Sequence, residues 1–273
     1  MKKKVNKNII TVISATFLIL VLVLTYLPLF VIALTSFSND KFGLSMDGFT
    51  LSWYEKMWQS RSLMNSIKYT LQISIASTLI SIVFGTLAAI GIHGLTKKNK
   101  KKMVMFNNVP ILNADIVTAS FLLIIFQLVG MVVGRNVLGF TTTLIAHVLF
   151  STPYVVLSVL PKLSELNDSL YDASLDLGCS PRTALTKTIL PNIQTGVFTG
   201  GLLAFTMSID DFIITYFVTG KQQNFSTWLY GSLKTLRNGL WNQACAYNTL
   251  LILITFIVVI GYQFFNIKKR GNK

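Results

Sequence analysis

The stretch "KLSELNDSLYDASLDLGCSPRTALTKTILP", Lys162 to Pro191, is too polar to cross a bilayer and too patterned for a loose linker. Leu163, Leu166, Leu170, Ala173 and Leu177 recur at helical spacing, so one side of the segment is apolar. Gly178 supplies a stop for that helix. Ser180 and Pro181 then give an N-cap and a first-turn proline for a second helix, which Ala184, Leu185, Thr188 and Ile189 continue. Pro191 marks the start of the next apolar run. The pattern predicts a short helix–turn–helix with one apolar side, shaped to bear against another body.

The chain on either side is of a different kind. It has 273 residues, 52% of them hydrophobic, a mean hydropathy of +0.60 and only 12% charged residues. Soluble domains carry about 25% charged residues. A bilayer core of about 30 Å needs about 20 apolar helical residues. Six segments satisfy that length: 9–35, 65–95, 103–130, 138–161, 192–219 and 245–267. The fold expected is all-α, a polytopic membrane protein with six spans in one transmembrane domain over 1–273, with 162–191 as an extramembrane hairpin. "MKKKVNK" before the first apolar run resembles a secretory leader, but the run exceeds an h-region of about 7–15 residues, so it is read as an uncleaved first span.

The formal net charge is +14, which by itself suggests a nucleic-acid partner. The placement of the lysines argues for membrane orientation instead. One side collects Lys2, Lys3, Lys4, Lys7, the run from Lys97 to Lys102, Lys162, Arg182, Lys187, Lys268, Lys269, Arg270 and Lys273, which makes 16 basic residues. The other side has eight: Lys41, Lys56, Arg61, Lys68, Arg135, Lys221, Lys234 and Arg237. The positive-inside rule puts both termini and the hairpin in the cytoplasm. Trp53, Trp58, Trp228 and Trp241 all fall in the first and fifth connections, where headgroup-level anchoring is expected. Those two connections, 36–64 and 220–244, are long enough for short surface helices. Gly196, Gly200 and Gly201 in the fifth span allow close helix approach, and Pro28 and Pro153 lie inside spans.

Three acids sit within the apolar runs. "FTMSIDDFIITYF" (Phe205–Phe217) holds Asp210 and Asp211, and Asp115 lies in the third span. A charge at mid-bilayer costs about 2.5–3.5 kcal/mol on insertion scales, so such residues mark a pathway by default. At 1.5 Å per residue the pair lies roughly 30 Å from Pro191, and Asp115 roughly 20 Å from Lys102. An acidic route at two depths suits a cation. Phe212, Tyr216 and Phe217 add aromatic faces for amines. Successive helical side chains diverge by about 100°, so one acid of the pair faces the route while the other pairs or caps locally.

The hairpin also resembles a known pattern. Permease subunits of ATP-binding-cassette importers carry E-A-A, three residues, G, nine residues, then I-x-L-P. This chain has Asp172-Ala173-Ser174, then Gly178, then Thr188-Ile189-Leu190-Pro191, with the same spacing and just before the second-last span. Asp172, Ser174 and Thr188 depart from the pattern; Asp keeps the carboxylate and Ser stays small. More narrowly, "SFSNDKFGLSMDGFTLSWY" (Ser36–Tyr54), "DIVTASFLLIIF" (Asp115–Phe126), "DLGCS" and "FTMSIDDFIITYFVTG" (Phe205–Gly220) resemble the second permease of spermidine/putrescine importers, over essentially the full length.

That resemblance implies a type I importer permease fold in a bacterial inner (plasma) membrane. It implies a homologous permease, two ATP-binding subunits, an extracytoplasmic binding protein and a polyamine cargo. Asp172, Ala173, Ser174, Gly178, Leu190 and Pro191 would lie at or near the ATPase contact. For such a cargo, the acids and aromatic face read above, Asp115, Asp210, Asp211 and Tyr216, would line the substrate pathway.

What the sequence lacks narrows the chemistry. No G-x-x-x-x-G-K-[ST] is present; Gly220-Lys221 lacks both the upstream Gly and the following Ser or Thr, so ATP belongs to another polypeptide. No HExxH, GxSxG or paired catalytic carboxylates occur, which leaves no enzyme, cofactor or metal site to expect. His93 and His147 each stand alone and are read as satisfied structural histidines. Cys179 and Cys245 fall on opposite sides of the expected topology and stay thiols. Asn224-Phe225-Ser226 fits a glycosylation sequon. The competing readings are the same machine with another organic cation or an anion such as sulfate, and a proton-driven secondary transporter using Asp115 as a relay. The hairpin and the missing second half argue against the latter.

Overall fold

The computed structural model describes residues 7–40, 48–167, 169–234 and 239–271. Of the charges counted above, Lys2, Lys3, Lys4, Lys41, Arg237 and Lys273 lie outside the described residues. The described chain is helical, with one isolated antiparallel bridge between Ser38 and Phe49. In order the helices are α1 (Lys7–Phe37), α2 (Ser52–Gln59), α3 (Arg61–His93), α4 (Lys97–Leu112), α5 (Asp115–Val133), α6 (Phe140–Ser164), α7 (Ser169–Asp176), α8 (Pro181–Ala184), α9 (Leu190–Ile209), α10 (Ile213–Val218), α11 (Phe225–Lys234) and α12 (Leu240–Gly271). A single π-helical turn, Leu185–Ile189, joins α8 to α9.

Five described helices are long and apolar enough to cross a membrane: 14–37, 61–93, 115–133, 140–164 and 240–257. Two expected spans are interrupted. The third breaks at Asn113 and Ala114, so Asp115 opens α5 instead of sitting inside a continuous helix, and its depth no longer follows from a straight rise out of Lys102. The fifth breaks at Asp210–Phe212, between α9 and α10. α9 keeps 20 residues, but Asn192, Gln194, Thr195, Thr199 and Thr206 dilute its apolar character, and it is not among the five.

The described residues fall into two compact units. The first comprises residues up to Met64 and from Leu229 onward. Here α1 is apolar all round and exposed from 14 to 31, as a lipid- or partner-facing helix must be. Trp53 and Met57 of α2 are buried; the Trp53 indole donates to Ser38 O at 2.7 Å, and Asn242 Nδ2 donates to Asp40 O at 2.9 Å.

The second unit, Asn65–Trp228, carries the features that bear on function. One cluster joins Ala89, Val155, Val156, Val159, Leu163, Ile189, Ile193 and Ala204, and another joins Ala119, Leu122, Phe126, Ala146, Phe150, Ile214 and Val218. α6 and α9 pack at backbone distance. A Cβ added at Gly196 would meet Ser158 O and Lys162 Cγ at 2.8 Å each, and one at Gly200 would meet Val155 Cα at 2.9 Å. Small residues at these positions are what permit the approach.

The tryptophans depart from expectation. Trp58 and Trp241 are exposed, whereas Trp53 and Trp228 are buried in protein and unavailable to headgroups. Packing took two of the four rings because each buries a large apolar area. Both cysteines are free.

Candidate functional site

The hairpin is built largely as its residues dictate. α7 ends in a Schellman motif: Gly178 N–H donates to Leu175 O at 2.9 Å and Cys179 N–H to Ser174 O at 3.1 Å, with Gly178 at φ +84°. Ser180 caps the second arm, accepting from Thr183 N–H at 3.3 Å, and Pro181 occupies the first turn. Leu166, Leu170 and Tyr171 pack against the cluster around Leu163 and Ile189.

The second arm does not stop at Pro191. Proline has no N–H to offer Lys187 O, and the π turn absorbs this as Leu190 N–H reaches back to Leu185 O. α8, the π turn and α9 therefore run on as one helix. Of the motif positions, Asp172, Ala173, Gly178, Leu190 and Pro191 are exposed, and Leu177 beside them is 87% exposed. Ser174 is buried and donates to Tyr171 O at 2.6 Å. A Cβ at Gly178 would meet no atom within 4 Å, so the glycine answers a backbone requirement and leaves an open surface.

The interruption at Asp210–Phe212 has its own chemistry. Asp211 turns inward, with its side chain 8% exposed. Its Oδ1 accepts from Ile214 N–H at 3.2 Å, and its Oδ2 accepts from Thr215 N–H at 2.8 Å and Thr215 Oγ1 at 2.7 Å. These are the orphan donors at the start of α10, and a carboxylate there also complements the helix dipole. Asn224 Nδ2 donates to Asp211 O at 2.6 Å, while Asn224 Oδ1 accepts from Thr227 N–H at 2.9 Å at the start of α11. The sequon asparagine is thus buried and doubly engaged.

His147 of α6, fully buried, touches both sides of the break. Its Nδ1 is 2.6 Å from Ser208 Oγ on α9; its Nε2 is 2.9 Å from Thr215 Oγ1 on α10 and 3.5 Å from Asp211 Oδ2. The single hydroxyl proton of Thr215 goes to Asp211, so Nε2 carries the hydrogen donated to Thr215. Ser208 Oγ also lies 3.0 Å from Ser77 Oγ and 3.3 Å from Ser74 Oγ of α3. Every member has a partner, as a polar group deep in an apolar body requires.

Asp210 faces the other way. It is exposed, and its carboxylate makes no hydrogen bond or ion pair among the described residues. Tyr216 is 53% exposed, its ring 5.6 Å from Phe212. Asp115 is exposed at the opening turn of α5 and shares no hydrogen bond or ion pair with the Asp210–Asp211 turn. Among the described residues no cluster of three or more His, Cys, Asp or Glu side chains is placed to hold a metal.

Sequence reasoning missed the partners of His147. One signal was legible: Ser66, Thr70, Ser74, Ser77 and Ser81 recur at helical spacing on α3, and all are buried. Hydroxyls on one face of an otherwise apolar helix mark a polar seam between helices.

The chain's likenesses fit this architecture. The family described as "Binding-protein-dependent transport system inner membrane component" matches residues 81–271. Over 247 residues the chain is 30% identical to "Spermidine/putrescine transport system permease protein PotC" of Haemophilus influenzae, covering 90% of this chain and 93% of that one. It is 26% identical over 250 residues to "Putrescine transport system permease protein PotI" of Escherichia coli K12, covering 91% and 88%. Among solved structures, a bacterial ABC transporter that imports the acidic polysaccharide alginate has a chain sharing the fold at a TM-score of 0.72, with 14% identity and 94% of each chain covered. A second alginate transporter structure, in complex with its periplasmic protein, gives 0.68 with 15% identity and 90% coverage of each. This chain belongs to the family of binding-protein-dependent transport inner-membrane components, with the all-α importer-permease fold and a multi-pass membrane location.

Proposed function

We propose that this family member is the transmembrane permease subunit of an ATP-driven importer of polyamines such as spermidine and putrescine. The observation that carries the cargo is the likeness, along nine-tenths of the chain, to relatives named for spermidine and putrescine transport. The acids at the α9–α10 turn agree with it, since a polyamine is a flexible polycation and an intramembrane carboxylate is retained only for use. Asp115, Asp210 and Tyr216 line the pathway, with Asp211 beside them.

In this reading the chain is one permease domain with six crossings, α9 being the sixth at about 30 Å for its 20 residues. Both termini are cytoplasmic, following the excess of Lys and Arg on that side. The chain has no catalysis, cofactor or nucleic-acid partner of its own. It works with a homologous permease, two ATP-binding subunits and an extracytoplasmic binding protein that delivers the polyamine. The hairpin seats on an ATP-binding subunit through Asp172, Ala173 and Gly178, with Ser174 bracing α7 and Leu190 and Pro191 at the root of α9. Closure of the ATPase pair moves the hairpin, and α9 moves with it because the second arm and α9 are one helix. The cargo enters from outside and leaves inward after hydrolysis.

The test is uptake of labelled spermidine by cells that lack this gene and carry no other polyamine importer, before and after the gene is restored. Uptake lost and then regained is the expected result. Uptake that never changes removes the polyamine.

A further inference from the structure

The two adjacent acids do different work. We infer that of this pair only Asp210 meets the cationic cargo, and that Asp211, held by His147, is a positioning residue that turns Asp210 toward the pathway. This rests on the transport reading above and assigns roles within it.

Four observations carry the division. First, the Asp211 carboxylate is already used: three donors from Ile214 and Thr215 occupy its oxygens, and His147 stands 3.5 Å away. A carboxylate offers about four acceptor sites, so little remains for an ammonium. Second, even the Asp211 backbone is fixed, its carbonyl accepting from Asn224 at 2.6 Å. Third, Asp210 is exposed and its carboxylate has no partner among the described residues. Fourth, His147 spans the interruption, reaching Ser208 on the α9 side and Thr215 on the α10 side. Side chains at neighbouring positions diverge, so fixing Asp211 inward fixes Asp210 outward. The hydroxyls of Ser74 and Ser77 hold Ser208 in turn, which ties the joint to α3.

A cargo-independent measurement decides the geometry. In the assembled complex, with Cys179→Ser and Cys245→Ser as background, Asp210→Cys and Asp211→Cys are exposed separately to a cationic, membrane-impermeant thiosulfonate. The Asp210→Cys variant is expected to react at least about tenfold faster, as an accessible thiol against a buried one. Equal rates, or a faster Asp211→Cys variant, overturn the division whatever the cargo is.

Uptake kinetics with labelled spermidine decide the roles. Asp210→Asn is expected to raise KM by about 10- to 100-fold, the loss of one charge-assisted contact. Asp211→Asn keeps an amide oxygen for Thr215 and should change KM by less than about threefold, the size of a neutral-for-charged exchange at a retained hydrogen bond. His147→Leu should raise KM in the native background and add nothing in the Asp210→Asn background, because its effect passes through Asp210. A purely structural role would add in both. An Asp211→Asn penalty as large as that of Asp210→Asn, or independent effects of His147→Leu and Asp210→Asn, would sink the proposal. If the native complex takes up no spermidine, the polyamine reading fails, and the labelling rates still decide which acid faces the pathway.

Discussion

Gly178 gives the sharpest test of how the hairpin is made. Its φ of +84° lies in the left-handed region, and a Cβ built there meets nothing within 4 Å. Any penalty for a side chain within this chain is therefore conformational and not steric. An L-residue held left-handed costs about 1–2 kcal/mol. That cost falls on the Schellman pair, in which Cys179 N–H donates to Ser174 O at 3.1 Å. A loss of 1–2 kcal/mol multiplies local opening by about 5- to 30-fold. Gly178→Ala should accordingly speed hydrogen exchange at the Cys179 amide by that factor, read by mass spectrometry on the peptide spanning α7 and α8. Gly178→Asn should cost less than Gly178→Ala although Asn is the larger residue, because Asn tolerates the left-handed region. Spermidine uptake should fall in the same order. Gly178→Asp should carry the larger functional loss, since it also adds charge to the open surface proposed to seat on an ATP-binding subunit. If Gly178→Asn exchanges faster than Gly178→Ala, or Gly178→Ala exchanges at the native rate, the backbone argument is refuted and the glycine is there for size.

Other consequences follow from the packing and the motif. Gly196→Ala must force Ser158 O and Lys162 apart from α9 and should destabilise the complex by about 1–3 kcal/mol in thermal unfolding; Gly91→Ala, with no atom within 4 Å, should stay within about 0.5 kcal/mol of native. Asn224→Ala removes the α11 cap together with the donor to Asp211 O, and should cost about 1–2 kcal/mol, with Asn224→Ser recovering part of it. Asp172→Arg reverses an exposed charge on α7 and should abolish uptake while the protein level, read by immunoblot, stays native. Native uptake in that variant would remove Asp172 from the ATPase contact.

The hairpin was legible because its signals are local. A glycine stop and a Ser-Pro start each act within one or two turns, and the structure realises both; of the leucine pattern, Leu163, Leu166 and Leu170 pack inward, whereas Ala173 and Leu177 are exposed and the helix breaks between Ser164 and Ser169. The helix breaks at Asn113–Ala114 and Asp210–Phe212 were not legible, because a hydropathy window of about 20 residues averages across an interruption of two or three. Asp211 illustrates the same limit at one side chain. Its residue type announced a costly charge in an apolar run, but whether that charge faced cargo or a helix start depended on Thr215 four positions on and on His147 from another helix. The same sequence distance hides the hydroxyls of Ser74 and Ser77, whose partner Ser208 lies more than 130 residues away.

Pro191 shows what the structure adds to a boundary read from sequence. Read as the entry to the fifth span, it leaves open how the hairpin is joined to that span. In the structure the π turn supplies the missing backbone bond, and the helix continues from Pro181 to Ile209. At 1.5 Å per residue, Ile189 and Asp210 are about 30 Å apart along that single helix. Gly196 and Gly200 seat it against α6 at backbone distance, and His147 of the same α6 grips its far end through Ser208. If the hairpin seats on an ATP-binding subunit as proposed, a push on it travels along a chain of contiguous helical turns as far as the Asp210 turn. In the proposed cycle, that interruption is where a displacement of α9 would reorient the Asp210 carboxylate.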